Sequence, residues 1–287
     1  MLYEKFIVNP DSKLDLSKIP TKYSGEIKSK KDAKKILKEN IKKMSELQAE
    51  LYADNKYSML IIFQAMDAAG KDGTIKHVMS GLNPQGTQVF SFKQPSSEEL
   101  DHNFLWRINK ALPEKGRIGI FNRSHYEDVL VVRVHNLIQF HKIPSDLQTE
   151  NIWEQRFREI NDFEKYLYEN GTIILKFFLH VSKEEQKERF ISRIENPSKN
   201  WKFSEGDIKE RGFWNDYQKC YQEAISATSK IHAPWFIIPA DKKGFMRLAV
   251  SDIISETLQN LNINYPKLSD EQIKNLDKYK QILLNEM

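Results

Sequence analysis

The residues with the clearest chemical potential lie between positions 64 and 76. This stretch contains a lysine, Lys71, between Gly70 and Gly73, and a carboxylate, Asp67, just before them. Backbone N–H groups at a helix start have no partners inside the helix and lie at the positive end of its dipole, so they bind anions. Glycines let the backbone turn tightly around a phosphate, and the lysine adds a point charge. The spacing therefore predicts a phosphate-binding loop.

The match to the usual pattern, G-x-x-x-x-G-K-[ST], is incomplete. Ala65 and Asp72 stand where that pattern has a glycine and a hydroxyl residue, and this hydroxyl normally binds Mg²⁺. Asp67 offers a carboxylate instead, which suits Mg²⁺ as a hard oxygen ligand. The alternative is an ordinary strand-to-helix turn with a surface lysine. The predicted phosphate contacts in the loop are Ala68, Ala69, Gly70, Lys71, Asp72, Gly73 and Thr74.

The flanking elements place this loop in an α/β fold. Residues 58–63 form a short apolar run typical of a buried parallel strand, and residues 74–80 predict a helix that Gly81 ends. Further strands are predicted at residues 89–92, 117–121, 172–179 and 235–239. Further helices are predicted at residues 30–53, 96–112, 147–169, 182–193, 207–230, 245–261 and 269–286.

A polar segment after the third strand forms the second candidate cluster, since α/β sheets bind ligands at the carboxyl ends of their strands. Asn122 stands where a phosphate-loop protein has its second metal-binding carboxylate. Glu127 could supply the charge that Asn122 lacks. Arg123 could neutralise charge on a transferring phosphoryl group, and Arg133 lies further along.

A basic segment after the fourth strand is similar to the lid of a nucleotide kinase. Residues 195–204 interrupt the helical periodicity and contain Lys199 and Lys202, and the preceding helix carries Arg189 and Arg193. A lid excludes water, which would otherwise hydrolyse a phosphoryl donor. A plain surface connection is the alternative.

Other basic residues could also contact an anionic substrate. Lys93 and Arg107 are candidate contacts, with simple exposure to solvent as the alternative. The helix at residues 30–53 carries a basic face that either is solvated or attracts an anion. Its lysines are Lys30, Lys31, Lys34, Lys35, Lys38, Lys42 and Lys43.

Composition excludes several classes of protein. The chain has 287 residues, of which 40% are hydrophobic and 11% aromatic, so a packed core is expected rather than disorder. Its 44 basic and 40 acidic residues give a net charge of +4, which does not demand a nucleic-acid partner. The single cysteine, Cys220, precludes an internal disulfide. With no signal peptide or membrane span in the pattern, we expect a cytoplasmic protein.

Several longer motifs, in order, resemble the polyphosphate kinase 2 family. They lie between about residue 44 and residue 254, which makes the resemblance far more specific than the phosphate loop alone. The matching segments are residues 66–73 (MDAAGKDG), 83–86 (NPQG), 92–95 (FKQP), 104–107 (FLWR), 119–130 (GIFNRSHYEDVL), 189–193 (RFISR), 201–202 (WK) and Trp235.

The resemblance implies a three-layer α/β/α fold of the P-loop kinase type, similar to thymidylate kinase, with a parallel central sheet and a helical lid. The whole chain, residues 1–287, would then form a single domain. Its expected parts are an N-terminal arm and helix (1–54), a core (55–262) with a lid at about 190–212, and a C-terminal helix (263–287).

The resemblance also implies an activity, the transfer of phosphoryl groups between inorganic polyphosphate and nucleotides with Mg²⁺, or Mn²⁺ in its place. Asn122 with Glu127 resembles the subgroup, class III, that accepts both AMP and ADP. Adenine nucleotides are the expected partners, with guanine as a second base, and neither nucleic acid nor membrane is expected. The expected assembly is a homo-oligomer, either a dimer or a tetramer.

Residue roles follow from the same motifs. Asp67 would hold the metal, completed by Asn122 or Glu127. The implied catalytic residues are Asp67, Lys71, Arg123 and Arg193. The implied polyphosphate clamp is Arg133, Arg189, Arg193, Lys199 and Lys202. The implied nucleotide contacts are Lys93, Arg107, Asn122, Arg123 and Glu127.

Two other functions fit part of the pattern. The first is an ATP-dependent nucleoside monophosphate kinase on the same fold, although basic residues beyond the reach of one triphosphate favour a longer donor. The second is a non-catalytic polyanion-binding module. Asp67 argues against that module, because a carboxylate among phosphate contacts repels phosphate unless a metal intervenes.

Overall fold

The computed structural model describes residues 2–10, 12–25 and 29–286. Residues 1, 11, 26–28 and 287, which belong to the predicted arm and the predicted C-terminal segment, lie outside the described residues, as does the side chain of Lys30.

Five parallel strands form one sheet in the described part of the chain, in the spatial order β2-β3-β1-β4-β5. Their bounds are Ser58–Gln64 (β1), Thr87–Ser91 (β2), Ile118–Asn122 (β3), Thr172–His180 (β4) and Trp235–Pro239 (β5). All five predicted strands are confirmed to within two residues. The register aligns Asn122 with Phe63 of β1 and with Ser91 of β2, so three strands end side by side.

Helices cover the sheet in two layers, which confirms the predicted three-layer architecture. In one layer α2 and α3 pack against α11, and in the other α10 packs against α6 and α7. Their bounds are Leu2–Phe6 (α1), Lys30–Asp54 (α2), Lys71–Val78 (α3), Ser97–Leu100 (α4), Trp106–Asn109 (α5), Val131–Val134 (α6), Ile152–Glu169 (α7), Lys183–Glu195 (α8), Glu205–Gly212 (α9), Trp214–Thr228 (α10), Lys243–Asn260 (α11) and Asp270–Leu284 (α12).

Two predicted helices are divided in the structure. The helix predicted at 96–112 is interrupted between α4 and α5, where the Asn103 side chain accepts a hydrogen bond from the Leu105 backbone N–H at 3.1 Å and so competes with the helix. The helix predicted at 207–230 breaks at Phe213, directly after Gly212, a residue of low helix propensity. The predicted lid at 190–212 spans the end of α8, a short 3₁₀ helix (Asn200–Lys202) and α9.

A buried polar network anchors the segment that follows β3. The Lys176 ammonium on β4 donates hydrogen bonds to the Glu164 carboxylate at 2.5 Å, to the Tyr126 hydroxyl at 2.9 Å and to the Thr228 carbonyl at 2.8 Å. Tyr126 also donates to Glu164 at 2.9 Å. Burial lowers the pKa of Lys176 to about 8, although Glu164 opposes this shift. The network holds the loop that carries Arg123 against the sheet.

We expect Glu164→Ala to reduce the free energy of unfolding by about 3–5 kcal/mol at pH 7, because Lys176 is left as a buried charge without its counterion. Adding Lys176→Met should recover part of this loss, because the double variant has no unpaired charge. The deficit should be smaller at pH 8 than at pH 6, because the folded variant lacks Glu164, which raises the pKa of Lys176 in the wild type, and so loses this proton at a lower pH than the wild type does. Urea unfolding of the three proteins measures these differences, and a single variant as stable as the double variant would contradict the interpretation.

Candidate active site

A cavity of 980 Å³ opens at the carboxyl ends of β1, β2 and β3. The loop after β1 forms its floor. The ends of β2 and β3 contribute Ser91, Phe92, Lys93, Asn122 and Arg123 on one side. Side chains from α8, the lid and α11 face them, and these are Glu185, Glu188, Arg189, Ser192, Arg193, Lys199, Trp201, Lys202, Lys243, Met246 and Arg247. The structure thus brings together most of the basic residues predicted for the site.

The backbone of the loop turns sharply at the start of α3. Gly70 caps this helix with φ of +113°, and a Cβ atom there would lie 3.1 Å from the Met246 methyl group, so only glycine fits without strain. The first helical hydrogen bond runs from the Thr74 N–H to the Gly70 carbonyl at 2.9 Å. The N–H groups of Lys71, Asp72 and Gly73 therefore have no helical acceptor and can bind phosphate.

Thr74 does not share this role. Its N–H group is used in the helix, and its buried hydroxyl donates to the Gly70 carbonyl at 3.0 Å. It therefore supports the turn at Gly70, and neither of its donors is left free for the phosphate contact that the sequence predicted.

Helix α8 holds the loop in a strained conformation. Ala68 has φ of +59°, which is costly for a residue other than glycine. Gln186 donates to the Asp67 carbonyl at 2.9 Å, while Arg189 donates to the carbonyls of Ala68 and Ala69 at 3.1 and 2.5 Å. These bonds satisfy the carbonyl groups of the loop and hold its backbone in place.

The contacts of Arg189 differ from its predicted role in clamping a phosphate chain. Its remaining N–H groups donate to the Glu185 carboxylate at 2.7 Å and to the carbonyls of Ala240 and Asp241 at 2.6 and 3.3 Å. Since these groups are already bonded to the protein, Arg189 joins the phosphate loop to the loop after β5. It still adds positive charge to the cavity wall.

Three charged side chains lie at the centre of the site. An Arg123 guanidinium nitrogen lies 3.0 Å from an Asp67 carboxylate oxygen, and the Lys71 ammonium donates to the Ala65 carbonyl at 2.7 Å. Burial lowers the pKa of Lys71, while Asp67 opposes this shift. Burial alone would also lower the pKa of Arg123, but Glu127 and Asp67 raise it above its ordinary value. Both cations are therefore placed beside a carboxylate, at the mouth of an anion-binding turn.

The donor atoms near Asp67 suit Mg²⁺ bound jointly by protein and phosphate. Arg123 is the one side chain in the described ranges that donates to the Asp67 carboxylate, and it approaches a single oxygen. No three acidic, histidine or cysteine side chains converge as a metal cage among the described residues. Mg²⁺ typically uses one or two carboxylates together with substrate phosphates and water, so this set fits. The Asn122 amide nitrogen donates to the Asp72 carboxylate at 2.9 Å. The side-chain carbonyl oxygen of Asn122 is therefore available as a second ligand, which is neutral.

Glu127 lies apart from the main cavity. It lines a narrow cleft of 30 Å³ behind Arg123, together with Asp67, Asp207 and Tyr221. Burial raises the pKa of Glu127, while Arg123 and Lys71 oppose this shift. Its position supports Arg123 electrostatically, and Glu127 does not line the main cavity, where the sequence predicted it to contact metal or nucleotide.

Two predicted basic contacts also lie outside the cavity. Arg133 forms an ion pair with Glu223 at 2.5 Å and stacks over the Trp153 ring. Arg107 donates to the Lys93 carbonyl at 2.8 Å and therefore positions the Lys93 segment rather than lining the cavity itself. Both predictions were based on the positive charge of the residue and on its position in the sequence. Neither reveals which carboxylate or carbonyl group the side chain contacts in the fold.

The lid contributes cations that have few competing partners. The Arg193 guanidinium lies 3.4 Å from the Asp207 carboxylate, which joins α8 to α9. Lys199 and Lys202 line the cavity, and Lys202 lies over the ring of Trp201, which is 77% exposed. A large aromatic side chain exposed at a cavity mouth is consistent with a segment that closes over a ligand.

The sequence prediction missed two cations, Lys243 and Arg247, on the first turns of α11. A Cβ atom at Gly73 would lie 3.5 Å from an Arg247 nitrogen, so this side chain lies over the start of α3. Burial lowers the pKa of Lys243, and Arg189 lowers it further. The sequence did contain a signal for these two cations. They are four residues apart and follow the last strand closely, so both lie on one face of the helix.

Comparisons with known proteins agree with this geometry. The sequence model of the family described as "Polyphosphate kinase 2 (PPK2)" matches residues 27–266. An "ADP-polyphosphate phosphotransferase" of Rhodopseudomonas palustris is 49% identical over 98% of each chain, and an "AMP/ADP-polyphosphate phosphotransferase" of Meiothermus ruber is 43% identical over 92% of this chain and 96% of its own. The crystal structure of polyphosphate kinase 2 from Arthrobacter aurescens TC1 superposes with a TM-score of 0.88, at 38% identity, over 97% of this chain and 96% of its own.

None of the helices in the described ranges combines the length and apolar character needed to cross a bilayer. The resemblance inferred from the motifs is confirmed, and the chain belongs to the polyphosphate kinase 2 family.

Proposed function

We propose that this protein transfers the terminal phosphoryl group of inorganic polyphosphate to AMP and to ADP, with Mg²⁺ as cofactor. The observation that carries the proposal is the lining of the main cavity, which has cationic side chains and free backbone N–H groups on two sides of Asp67 and Arg123. The phosphate loop and the lid cations form one region, and the ends of β2 and β3 form the other. Names of relatives that act on ADP, or on AMP and ADP, support the same substrates.

The side chains in this cavity would act by positioning and by charge compensation. The N–H groups after Gly70, with Lys71 and the lid cations, hold the donor, while Lys93 and Asn122 are placed to contact the acceptor. Arg123 lies between the two regions and can offset charge on the phosphoryl group in flight. Mg²⁺, held by Asp67 with Asn122 as a second ligand, would supply Lewis-acid neutralisation of phosphate charge. Mn²⁺ accepts the same oxygen ligands.

The acceptor nucleotide provides its own nucleophile, a phosphate oxygen that is already anionic. A new phosphorus–oxygen bond forms to this oxygen as the terminal bridging bond of the polymer breaks, and the electron pair stays with the shortened polymer. A phosphoanhydride is lost and another is formed, so the reaction is reversible and excess polymer drives synthesis of ADP and ATP. Adenine is the proposed base, with guanine nucleotides as the comparison substrates.

The direct test is product formation by the purified chain from AMP or ADP, with long-chain polyphosphate and Mg²⁺. Chromatography should show ADP and ATP from AMP only when both polymer and Mg²⁺ are present, and more ATP from ADP with polymer than without it. If AMP were converted with ATP as donor but not with polyphosphate, the result would contradict the proposal and favour an ordinary monophosphate kinase. Salt-sensitive polymer binding without turnover would favour a binding module instead.

We expect Arg247→Ala to raise the KM for polyphosphate by about 10- to 100-fold, because a charge-assisted hydrogen bond contributes about 1.5–3 kcal/mol. Arg133→Ala is the matched control, since Arg133 pairs with Glu223 away from the cavity. Its KM should stay within about twofold of the wild-type value, because its ion pair with Glu223 lies outside the cavity. Initial rates over a range of polymer concentrations measure both, and a larger effect at Arg133 would reverse the assignment.

We also propose that the protein is a cytoplasmic homo-oligomer, either a dimer or a tetramer. Helix α12 presents apolar side chains that are about half exposed, including Ile273 (49%), Leu276 (53%) and Tyr279 (56%). A 15-residue helix of this kind gains most of its stability by packing an apolar face, so a second copy is the proposed cover. Light scattering of the full chain and of an Ile273→Lys/Leu276→Lys variant tests this, and an unchanged mass would contradict it.

A further inference from the structure

A second cavity, of 1110 Å³, opens between α2, α3 and the start of α11. We refer to it as the α2 cavity. It is a separate depression from the main cavity, but His77, Glu185, Lys243 and Arg247 line both. A single extended ligand can therefore pass from the phosphate loop, beside Arg247, into the α2 cavity.

The floor of the α2 cavity is apolar. Ala33, Leu37 and Ile41 follow one another at intervals of four residues and so share one face of α2, while Phe245 contributes from α11. Phe245 is held in place by edge contacts with the rings of Phe6 and Tyr23, at centroid distances of 5.7 and 5.0 Å. Inorganic polyphosphate has no apolar group that could cover such a floor. A planar base would cover it, as in most small-molecule sites, where apolar walls surround a few polar groups.

The rim of the α2 cavity is cationic and carries hydroxyl groups. Lys34, Lys38 and Lys242 surround the floor, with Lys243 and Arg247 at the junction to the main cavity. Glu185 is the one carboxylate among the lining residues that the structure describes, and it accepts a hydrogen bond from Arg189. The serine hydroxyls of the lining can meet the polar edge of a base, and these are Ser24, Ser29 and Ser80.

We infer that a nucleoside triphosphate binds across the junction, with its triphosphate on the phosphate loop and its base in the α2 cavity. ATP would then serve as an alternative phosphoryl donor to AMP when polymer is absent. The γ-phosphorus forms a bond to an AMP phosphate oxygen, its bond to the β–γ bridging oxygen breaks, and the electron pair stays with the departing ADP. Two molecules of ADP result, and no further reactant is needed. The inference rests on the proposed function in one respect, that AMP binds as the phosphoryl acceptor.

The test compares two donors that share a triphosphate and differ by the nucleoside. Full-length enzyme is first treated with an exopolyphosphatase and repurified, because residual polymer could shuttle phosphoryl groups between ATP and AMP. ADP formation from AMP is then measured with ATP or with inorganic tripolyphosphate, at saturating Mg²⁺. Leu37→Glu places a charge in the apolar floor, and Ala49→Glu places the same residue at an exposed position on α2 outside the cavity.

The expected result is ADP formation from ATP and AMP by the polymer-free wild type. Leu37→Glu should lower kcat/KM for ATP about tenfold or more, since a carboxylate in the floor removes the apolar surface against which the base would pack. The same variant should keep kcat/KM for tripolyphosphate within about twofold, as should Ala49→Glu for both donors. If Leu37→Glu does not fold by circular dichroism, Leu37→Ala replaces it, because it removes apolar surface from the floor without adding a charge, and it should lower kcat/KM for ATP and not for tripolyphosphate.

Two results would overturn the inference. One is the absence of ATP-driven ADP formation after polymer removal, while tripolyphosphate remains active, which leaves the proposed function intact. The other is an equal loss of both donors in the folded variant, which would make the α2 cavity a binding surface for the phosphate chain. Failure of the proposed function looks different, because neither long-chain polymer nor tripolyphosphate would then support turnover in the wild type.

Discussion

Replacing Asp67 by asparagine should lower kcat by about 10³-fold with little effect on folding, because a bound metal contributes several kcal/mol of transition-state stabilisation. The substitution keeps the shape of the side chain and removes the charge that would hold Mg²⁺. It also weakens the contact to Arg123, which now lies 3.0 Å from the carboxylate. Steady-state rates of polymer-driven ATP formation from ADP, at increasing Mg²⁺, measure both the loss of rate and a higher Mg²⁺ requirement.

The matched control for this variant is Asp146→Asn, a change of the same kind at an exposed position far along the chain. It should leave both the rate and the Mg²⁺ requirement unchanged. A thermal melt of Asp67→Asn close to that of the wild type would show that the fold is retained. The contrary result is a variant that keeps its rate to within about tenfold and needs the same Mg²⁺ concentration as the wild type. That result would show that Asp67 does not hold the metal that stabilises the transition state.

Replacing Arg123 by alanine should also lower kcat by about 10³-fold or more, the range observed when an arginine that neutralises a transferring phosphoryl group is removed. Arg123 has φ of +64°, and its N–H donates to the Phe63 carbonyl at 3.1 Å, so the backbone is held in a conformation that few residues adopt. This strain keeps the guanidinium between the two anion-binding regions. Arg123→Lys should recover part of the rate, because it restores the charge without the planar fork.

Arg123→Gly separates this role from folding. Glycine adopts a positive φ without strain, so this variant should be more stable than Arg123→Ala, which loses the same charge, while it remains inactive. Arg158→Ala, which removes an exposed arginine from α7, is the matched control and should retain full activity. Full activity in the glycine variant would show that the backbone conformation, rather than the guanidinium, is what the site requires.

The strands and the phosphate loop could be predicted because their signals are local. The apolar run at Ser58–Gln64 is buried at every position, and Gly70 occupies a positive φ that glycine alone adopts easily. The sheet register then places Asn122 and Arg123 beside the loop, as the rule for carboxyl ends of parallel strands predicts. These parts of the fold and site depend on short stretches of sequence and on one general rule.

The remaining differences arise from contacts between residues that are distant in sequence. Arg189 was expected to bind phosphate, but its N–H groups meet backbone carbonyls about 50 and 120 residues away. Arg133 meets Glu223 on α10, which removes it from the cavity. Arg247 was overlooked because the rotation of α11 about its axis, set by packing against α2 and α3, decides which side chains reach the loop. A sequence pattern carries the charge of a side chain but not the partner that it meets.

The most direct test of the central proposal follows the phosphorus itself. Polyphosphate labelled with ³²P is mixed with unlabelled AMP, Mg²⁺ and the purified chain, and nucleotides, polymer and protein are separated at short times. We predict label in ADP and then in ATP, in step with loss of polymer, no label on the protein, and no transfer by Asp67→Asn. Unlabelled nucleotide products, or label that remains on the protein, would contradict direct transfer from polyphosphate.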